Sequence, residues 1–540
     1  MTHYRLNRLV PAFFFLMTAP FARLQAQDPR TQIMDILHYD LALNVYHHTD
    51  SIAGTATIQF RPRKLLRKVR LDFEGMTPTA VSREKSPLKF RFDGSQLEII
   101  FNPPLEPGTI ASVTVSYTGI PQDGLVIRKN KYGRKTFFAD NWPNRAHFWF
   151  PCVDHPSDKA RVRMAITAPL TYEVVANGRL LRIKNNLDGS RTTVYETLVP
   201  IPTYCMVFGA AEFEIHWAGR EGNIPLSFWV FPQDMADARQ DFRRAGVMLN
   251  YFRQRFGPYP YAKLALVESS TRFGGMENAS AIFFSERSLG TPHNIETTVA
   301  HEIAHQWFGN WVTPLDWQHL WLSEGFATYF GMQFFEYADG YEAFLQRRRQ
   351  SRKRYLSRKD WLDRPIVSEI PEDLFELLNP NNYAKGAWVL HMLRKWVGEE
   401  HFWRGIRRYI QTYRGRNVTT DLFRLEMEAV FGKSLEWFFK QWVYSGGVPE
   451  LEIVAAWNEQ KRVQRITIRQ KQPGPAMRLP VDIQFSGRRN EKQTVWLHER
   501  EETFNFSFPQ KPTRIVIDPE VNILAKLEFK EVKQSATNSR

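Results

Sequence analysis

Between residue 27 and about residue 215, apolar and polar positions alternate with a period of two. Ala56, Ile58 and Phe60 are separated by Thr57 and Gln59, and Val113, Val115 and Tyr117 repeat the pattern. Each such run presents one apolar face, as a half-buried strand does. Near residue 235 the period changes. Phe242, Ala245, Leu249, Phe252 and Phe256 recur at intervals of three and four, the spacing of one helical face, and helical patterns continue to about Val443. Gly446-Gly447-Val448-Pro449 then punctuates the chain, because glycine and proline together break regular structure. Alternation returns at Ile466/Ile468, Val481/Ile483/Phe485 and Phe504/Phe506/Phe508. The order is therefore β, mixed, β: an N-terminal β domain over 27–215, a mixed domain over 216–448, a small β domain over 449–530 and a polar tail over 531–540.

The mixed region carries the chemistry. In His301-Glu302-Ile303-Ala304-His305 the two histidines stand at i and i+4, one turn apart on one helical face, so both imidazoles can reach one metal ion. Glu302 lies between them and can take a proton from an attacking water. Glu324, in Trp321-Leu322-Ser323-Glu324-Gly325, is the right type for a third ligand. Two histidines and a glutamate with an open position form the ligand set of a catalytic zinc. Val299, Ile303, Trp307 and Phe308 make the helix apolar, Gly309-Asn310 supply its stop signal, and Leu320, Leu322, Phe326 and Phe330 surround Glu324 with apolar residues. A carboxylate in that setting needs a partner, and zinc is one.

Two further segments accompany this motif. Gly274-Gly275-Met276-Glu277-Asn278 follows the strand-like run Leu264-Ala265-Leu266-Val267; paired glycines let a ligand approach the backbone, and Glu277 suits a protonated amine. Asn278-Ala279-Ser280 also fits a glycosylation acceptor, which its place beside the metal motif argues against. Tyr383, in Asn382-Tyr383-Ala384-Lys385-Gly386, opens a helix-like run and offers a hydroxyl to a developing oxyanion.

Together, and in this order, His301–His305 with Glu324, Gly274–Asn278 and Tyr383–Gly386 resemble the M1 family of zinc metallopeptidases, the gluzincin aminopeptidases that include leukotriene A4 hydrolase and aminopeptidase N. The longer strings His301 to Asn310 and Trp321 to Ala327 are similar to the family's own, as is Phe150-Pro151-Cys152-Val153-Asp154 with Lys159-Ala160. The resemblance implies a multidomain α+β fold: an N-terminal β-sandwich or saddle domain, a thermolysin-like catalytic domain and a small C-terminal β-sandwich; the large helical C-terminal domain that many members add is not expected here, since the last alternating pattern ends near residue 530. It implies one zinc ion held by His301, His305 and Glu324, Glu302 as general base, and Tyr383 as stabiliser of the tetrahedral intermediate. Glu277 would hold the substrate's free amine while Gly274, Gly275, Met276 and Asn278 accompany the peptide backbone. The implied substrates are peptides with a free N-terminus. Where the family places a second acidic or glutamine anchor, ten positions before Cys152, this chain has Trp142, with Asp140 and Asn141 nearby. A zinc endopeptidase or an epoxide hydrolase would use the same metal; a non-catalytic peptide-binding protein is expected to have lost His301, Glu302 or Tyr383.

At 540 residues, 43% hydrophobic and 24% charged, the chain reads as globular. Arg5 and Arg8 precede an apolar run ending near Ala19, with a passable cleavage site at Ala26, so residues 1–26 are expected to be a signal peptide of an exported, periplasmic or secreted bacterial enzyme. That run is short for a stable transmembrane anchor. Net charge is +15, or +12 without Arg5, Arg8 and Arg23; the bases are scattered and no nucleic-acid motif accompanies them. The one cluster, Arg347 to Arg354, is expected to be a solvated helix face. Cys152 and Cys205 are expected as buried thiols in strands.

Overall fold

The computed structural model describes residues 28–291, 295–487 and 490–533. Residues 1–26, the expected signal peptide, and residues 534–540 of the polar tail lie outside the described residues. In the N-terminal domain the strand Met34–Val45 pairs antiparallel with Ile52–Pro62 and parallel with Lys159–Pro169, at the centre of a nine-stranded sheet. Register explains the alternation: Ala56 pairs with Val115 and Ile58 with Val113, so Ala56, Ile58 and Phe60 share one face with Val113, Val115 and Tyr117. That face meets a three-stranded sheet (Leu66–Asp72, Gln96–Leu105, Lys89–Phe92) through Phe60 against Phe101, with ring centres 6.3 Å apart. A four-stranded sheet that includes Lys135–Ala139 and Phe208–Ala211 turns toward the catalytic domain, where Phe138 packs edge-on against Phe283 at 5.4 Å.

The catalytic domain starts on a five-stranded sheet in the order Glu214–Glu221, Ile224–Val230, Leu264–Ser269, Ala281–Ser285, Gly275–Met276. Its helices follow: α1 Met235–Asp241, α2 Ala245–Phe256, α3 Glu296–His305, α4 Trp321–Asp339, α5 Tyr341–Leu356, α6 Lys359–Leu362, α7 Gly386–Val397, α8 Glu399–Tyr413, α9 Thr420–Phe431 and α10 Glu436–Trp442. The period near residue 235 predicts one helix, yet Phe242–Arg244 separates two. Ala245 N–H donates to the Phe242 carbonyl, a tighter turn that lets α2 change direction while Phe242 and Ala245 both stay buried.

The C-terminal domain is two sheets, one around Glu450–Asn458 and one around Leu479–Ser486. Phe485 lies 4.9 Å from both Phe506 and Phe508 across the sandwich. The arginine cluster is not simply a solvated face. Arg348 is 1% exposed and donates to Val521 O and Asn522 Oδ1, while Arg352 meets Asp518 at 2.6 Å. Charged groups on α5 thus dock the C-terminal domain, because the Asp518–Ile523 loop presents a carboxylate and free carbonyls that need donors. Cys152 and Cys205 are buried free thiols as expected, but neither lies in a strand: Cys152 makes an isolated bridge with Asp72, and Cys205 ends a short 3-10 turn. No helix among the described residues is long and apolar enough to cross a membrane.

Candidate metal centre and cleft

His301 and His305 leave the last turns of α3, and Glu324 leaves the first turn of α4. Their ligand atoms converge: Nε2 of His301 is 2.9 Å from Nε2 of His305, and Glu324 Oε2 is 3.2 and 3.3 Å from the two. Nδ1 of His305 faces the Phe308 carbonyl at 3.0 Å, which as a hydrogen bond from the ring N–H leaves Nε2 free to ligate. Ser323 Oγ is also 3.0 Å from that nitrogen.

Glycines bring Glu324 to this point. A Cβ on Gly325 would lie 2.9 Å from the Gly386 Cα, and one on Gly386 would lie 3.0 Å from the Gly325 Cα. The two motifs that carry Glu324 and Tyr383 therefore touch backbone to backbone where α4 crosses the start of α7. Tyr383 itself sits in a π-turn, Asn381–Lys385, a geometry found often at functional sites. Its ring stacks on His301 with centres 6.0 Å apart, and its hydroxyl neighbours Glu324.

The residues after His305 serve the glycine segment. Gln306 Nε2 and Asn310 Nδ2 both donate to the Glu277 carbonyl, at 2.9 and 2.5 Å, and Gln306 Oε1 accepts from Ser280 N–H. The N-terminal domain holds the same turn from outside, where Lys159 Nζ donates to the carbonyls of Asn310 and Trp311 and Tyr204 to that of Gly309. So Lys159, of the upstream string Phe150–Asp154 with Lys159-Ala160, serves the turn that follows the metal motif. Gly275–Met276 forms the edge of the catalytic sheet. Asn278 is fully buried, which excludes a glycan there in the folded chain.

All ten sequence-selected residues lie in this region, and all but Asn278 line one cavity of about 600 Å³. Trp142 is in its wall, packed edge-on against Phe273, Trp317 and Phe375. Neither neighbour takes its place: Asp140 is engaged by Arg145 at 2.8 Å, and Asn141 by Thr203 O, Met206 O and Trp149. The pattern reading missed Arg358, Trp361, Leu378, Asn379 and Pro380, which complete the cavity from the connections after α5; they have neither period nor motif.

Electrostatics identify what belongs among the three donors. Burial raises the Glu277 and Glu302 carboxyls, neighbouring carboxylates add to the rise, and His305 opposes it. Burial would also raise Glu324, but the two imidazoles outweigh it and hold it ionised. Against burial, Glu324 and Glu277 keep His305 protonated. Lone pairs and carboxylates thus face a point that demands positive charge. The donors of His301, His305 and Glu324 lie within 4.8 Å of one another, so the set fits a dication, which would replace the proton and pull the carboxyls down.

A helix-borne histidine pair, a glutamate from the next helix and a free carboxylate beside both define a metallopeptidase type of site. The profile of the peptidase family M1 domain matches residues 241–442, and that of the peptidase M1 N-terminal domain matches 36–205. The chain belongs to peptidase family M1. It is 26% identical over 474 residues to a probable aminopeptidase 2 of Sulfurisphaera tokodaii, covering 84% of this chain and 59% of that one. It is 26% identical over 462 residues to the glutamyl aminopeptidase of Homo sapiens, covering 79% and 48%. The chain thus spans about half the length of these curated relatives. A crystal structure of a mutant M1 zinc metallopeptidase from Deinococcus radiodurans superposes with a TM-score of 0.67 at 27% identity, covering 76% of this chain and 94% of that one.

Proposed function

We propose that the chain is an exported zinc aminopeptidase that releases the N-terminal residue of peptides. One observation carries the reading: the buried carboxylate of Glu277 lines the same cavity as the three donors and Glu302. An endopeptidase has no use for a buried acid at that place, whereas a substrate ammonium gives it the partner that burial requires.

His301, His305 and Glu324 would hold zinc, which when bound supplies a Lewis acid and lowers the pKa of water to ~7. Glu302 accepts the proton of the attacking water and returns it to the leaving amine. The Tyr383 hydroxyl donates to the carbonyl oxygen as charge develops there. Glu277 pairs with the ammonium and sets the register, so that only the first peptide bond reaches Glu302. The free edge of Gly275–Met276 pairs with the extended substrate backbone.

The test compares a free-amine peptide with its N-acetylated form, with and without a chelator, in the parent and in Glu277→Gln. The expected result is chelator-sensitive cleavage of the free amine alone, falling by roughly 10–100-fold in Glu277→Gln, the worth of one charge-assisted hydrogen bond. Rapid cleavage of the acetylated peptide would make this an endopeptidase.

A further inference from the structure

Apart from the histidine pair, the cavity is lined by one basic side chain, Arg358. It stands at the junction of α5 and α6, where its backbone N–H donates to Tyr355 O at 2.9 Å. Its Cα is therefore fixed. Its guanidinium has no hydrogen bond or ion pair among the described residues. Arg348 and Arg352 are committed to the C-terminal domain, and Arg364 to the face of Trp361 at 4.7 Å. Arg358 is exposed at the wall of the cavity.

We infer that Arg358 is a specificity-determining residue that pairs with a carboxylate of the substrate. The inference rests on the aminopeptidase reading and deepens it. A guanidinium presents a planar fork of donors that matches a carboxylate two bonds at a time. Here Arg358 borders a space walled by Trp142, Phe273 and Trp361. Charge points the same way. Glu277, Glu302 and Glu324 against one dication leave the cavity one negative charge in excess, which the substrate's ammonium neutralises. Arg358 then remains as an unmatched cation, and a second, negative group on the substrate would match it.

Two sources of that carboxylate fit. A cavity of about 600 Å³ is of the size that encloses a whole small molecule, and an extended di- or tripeptide spans at most roughly 7–11 Å. The C-terminal carboxylate of a short peptide therefore stays inside the walls. An aspartate or glutamate side chain offers the same group.

The experiment measures kcat/KM of the zinc-loaded enzyme on two matched pairs, alanyl-alanine against alanyl-alaninamide and glutamyl- against glutaminyl-p-nitroanilide. A preference of about tenfold for the acid member is expected in at least one pair, and which pair shows it identifies the source. In Arg358→Gln the ratio should collapse toward one, and Arg358→Lys should keep part of it. Zinc content and melting temperature control for folding, and ratios within one enzyme cancel any general loss of activity. Ratios near one in the parent, or a preference that survives in Arg358→Gln, would overturn the inference. Turnover of the amides by the parent leaves the aminopeptidase reading standing even then; no turnover of any of the four sinks both.

Discussion

Gly275 is where a single methyl group should separate catalysis from folding. A Cβ there would sit 2.4 Å from Glu302 Oε1, 2.8 Å from Glu302 Cδ and 2.7 Å from Thr298 Cγ2. Ordinary contact begins near 3.4 Å, so the Glu302 carboxylate must retreat by about 1 Å. Thr298 and Glu302 lie on the same face of α3, and the carboxylate is the more flexible of the two. It therefore moves first, away from the edge strand along which the substrate would lie. A displacement of about 1 Å of a catalytic group costs on the order of 100-fold, or about 2.7 kcal/mol of transition-state stabilisation. Because the yielding group ends in a cavity rather than in packed core, the stability loss should stay at the low end of the 1–3 kcal/mol typical of overpacking. The assay is steady-state turnover of an aminoacyl p-nitroanilide by Gly275→Ala, with bound zinc and thermal unfolding measured on the same sample. The expected outcome is a kcat fall of about 100-fold with zinc retained. If kcat stays within threefold of the parent while zinc and fold are intact, Glu302 is not held as the base in the way described. If only KM rises, Gly275 serves substrate docking alone.

Glu302→Gln should keep its metal, because His301, His305 and Glu324 converge without it, and should lose roughly 10²–10⁴-fold in kcat, the usual worth of a positioned base; metal analysis beside turnover checks both halves. Gly386→Ala pushes a methyl against the Gly325 backbone, which cannot yield as a side-chain tip does. Thermal unfolding should show about 1–3 kcal/mol of destabilisation, and zinc affinity should drop with it because Glu324 adjoins the crossing. Asp158 is 4% exposed, and burial pushes its carboxyl up to about 8. The folded state then binds the extra proton between the unfolded value near 4 and about 8, so this group costs stability increasingly as pH rises through that window and costs nothing below it. Asp158→Asn should therefore match the parent near pH 4 and exceed it by an amount on the order of a few kcal/mol at pH 8, read from denaturant midpoints; an equal difference at both pH values would refute the assignment.

What could be read from the chain and what could not divide along a physical line. The histidine pair is legible because i and i+4 meet by helix geometry alone, whatever the rest of the fold does. The alternation at Ala56–Phe60 is legible for the same reason, since one strand's pleat decides which side chains share a face. The glycines of Trp321–Ala327 and Tyr383–Gly386 could be matched to a family but not explained, because their role exists only where α4 and α7 cross. The arginine cluster misleads by the same rule: a run of charges says nothing of the Asp518–Ile523 loop that arrives from the last domain and takes up Arg348 and Arg352. Arg358 belongs to that cluster's neighbourhood and carries no pattern of its own. Its distinction is relational, a cation in the wall of a cavity whose opposite chemistry comes from Glu277 far upstream. If its carboxylate partner is found, the site's catalytic part will have been set mainly by local geometry and its selectivity by tertiary meeting alone. Substitutions along the connections after α5 should then change which peptides are cut while leaving the donors of α3 and α4 unmoved.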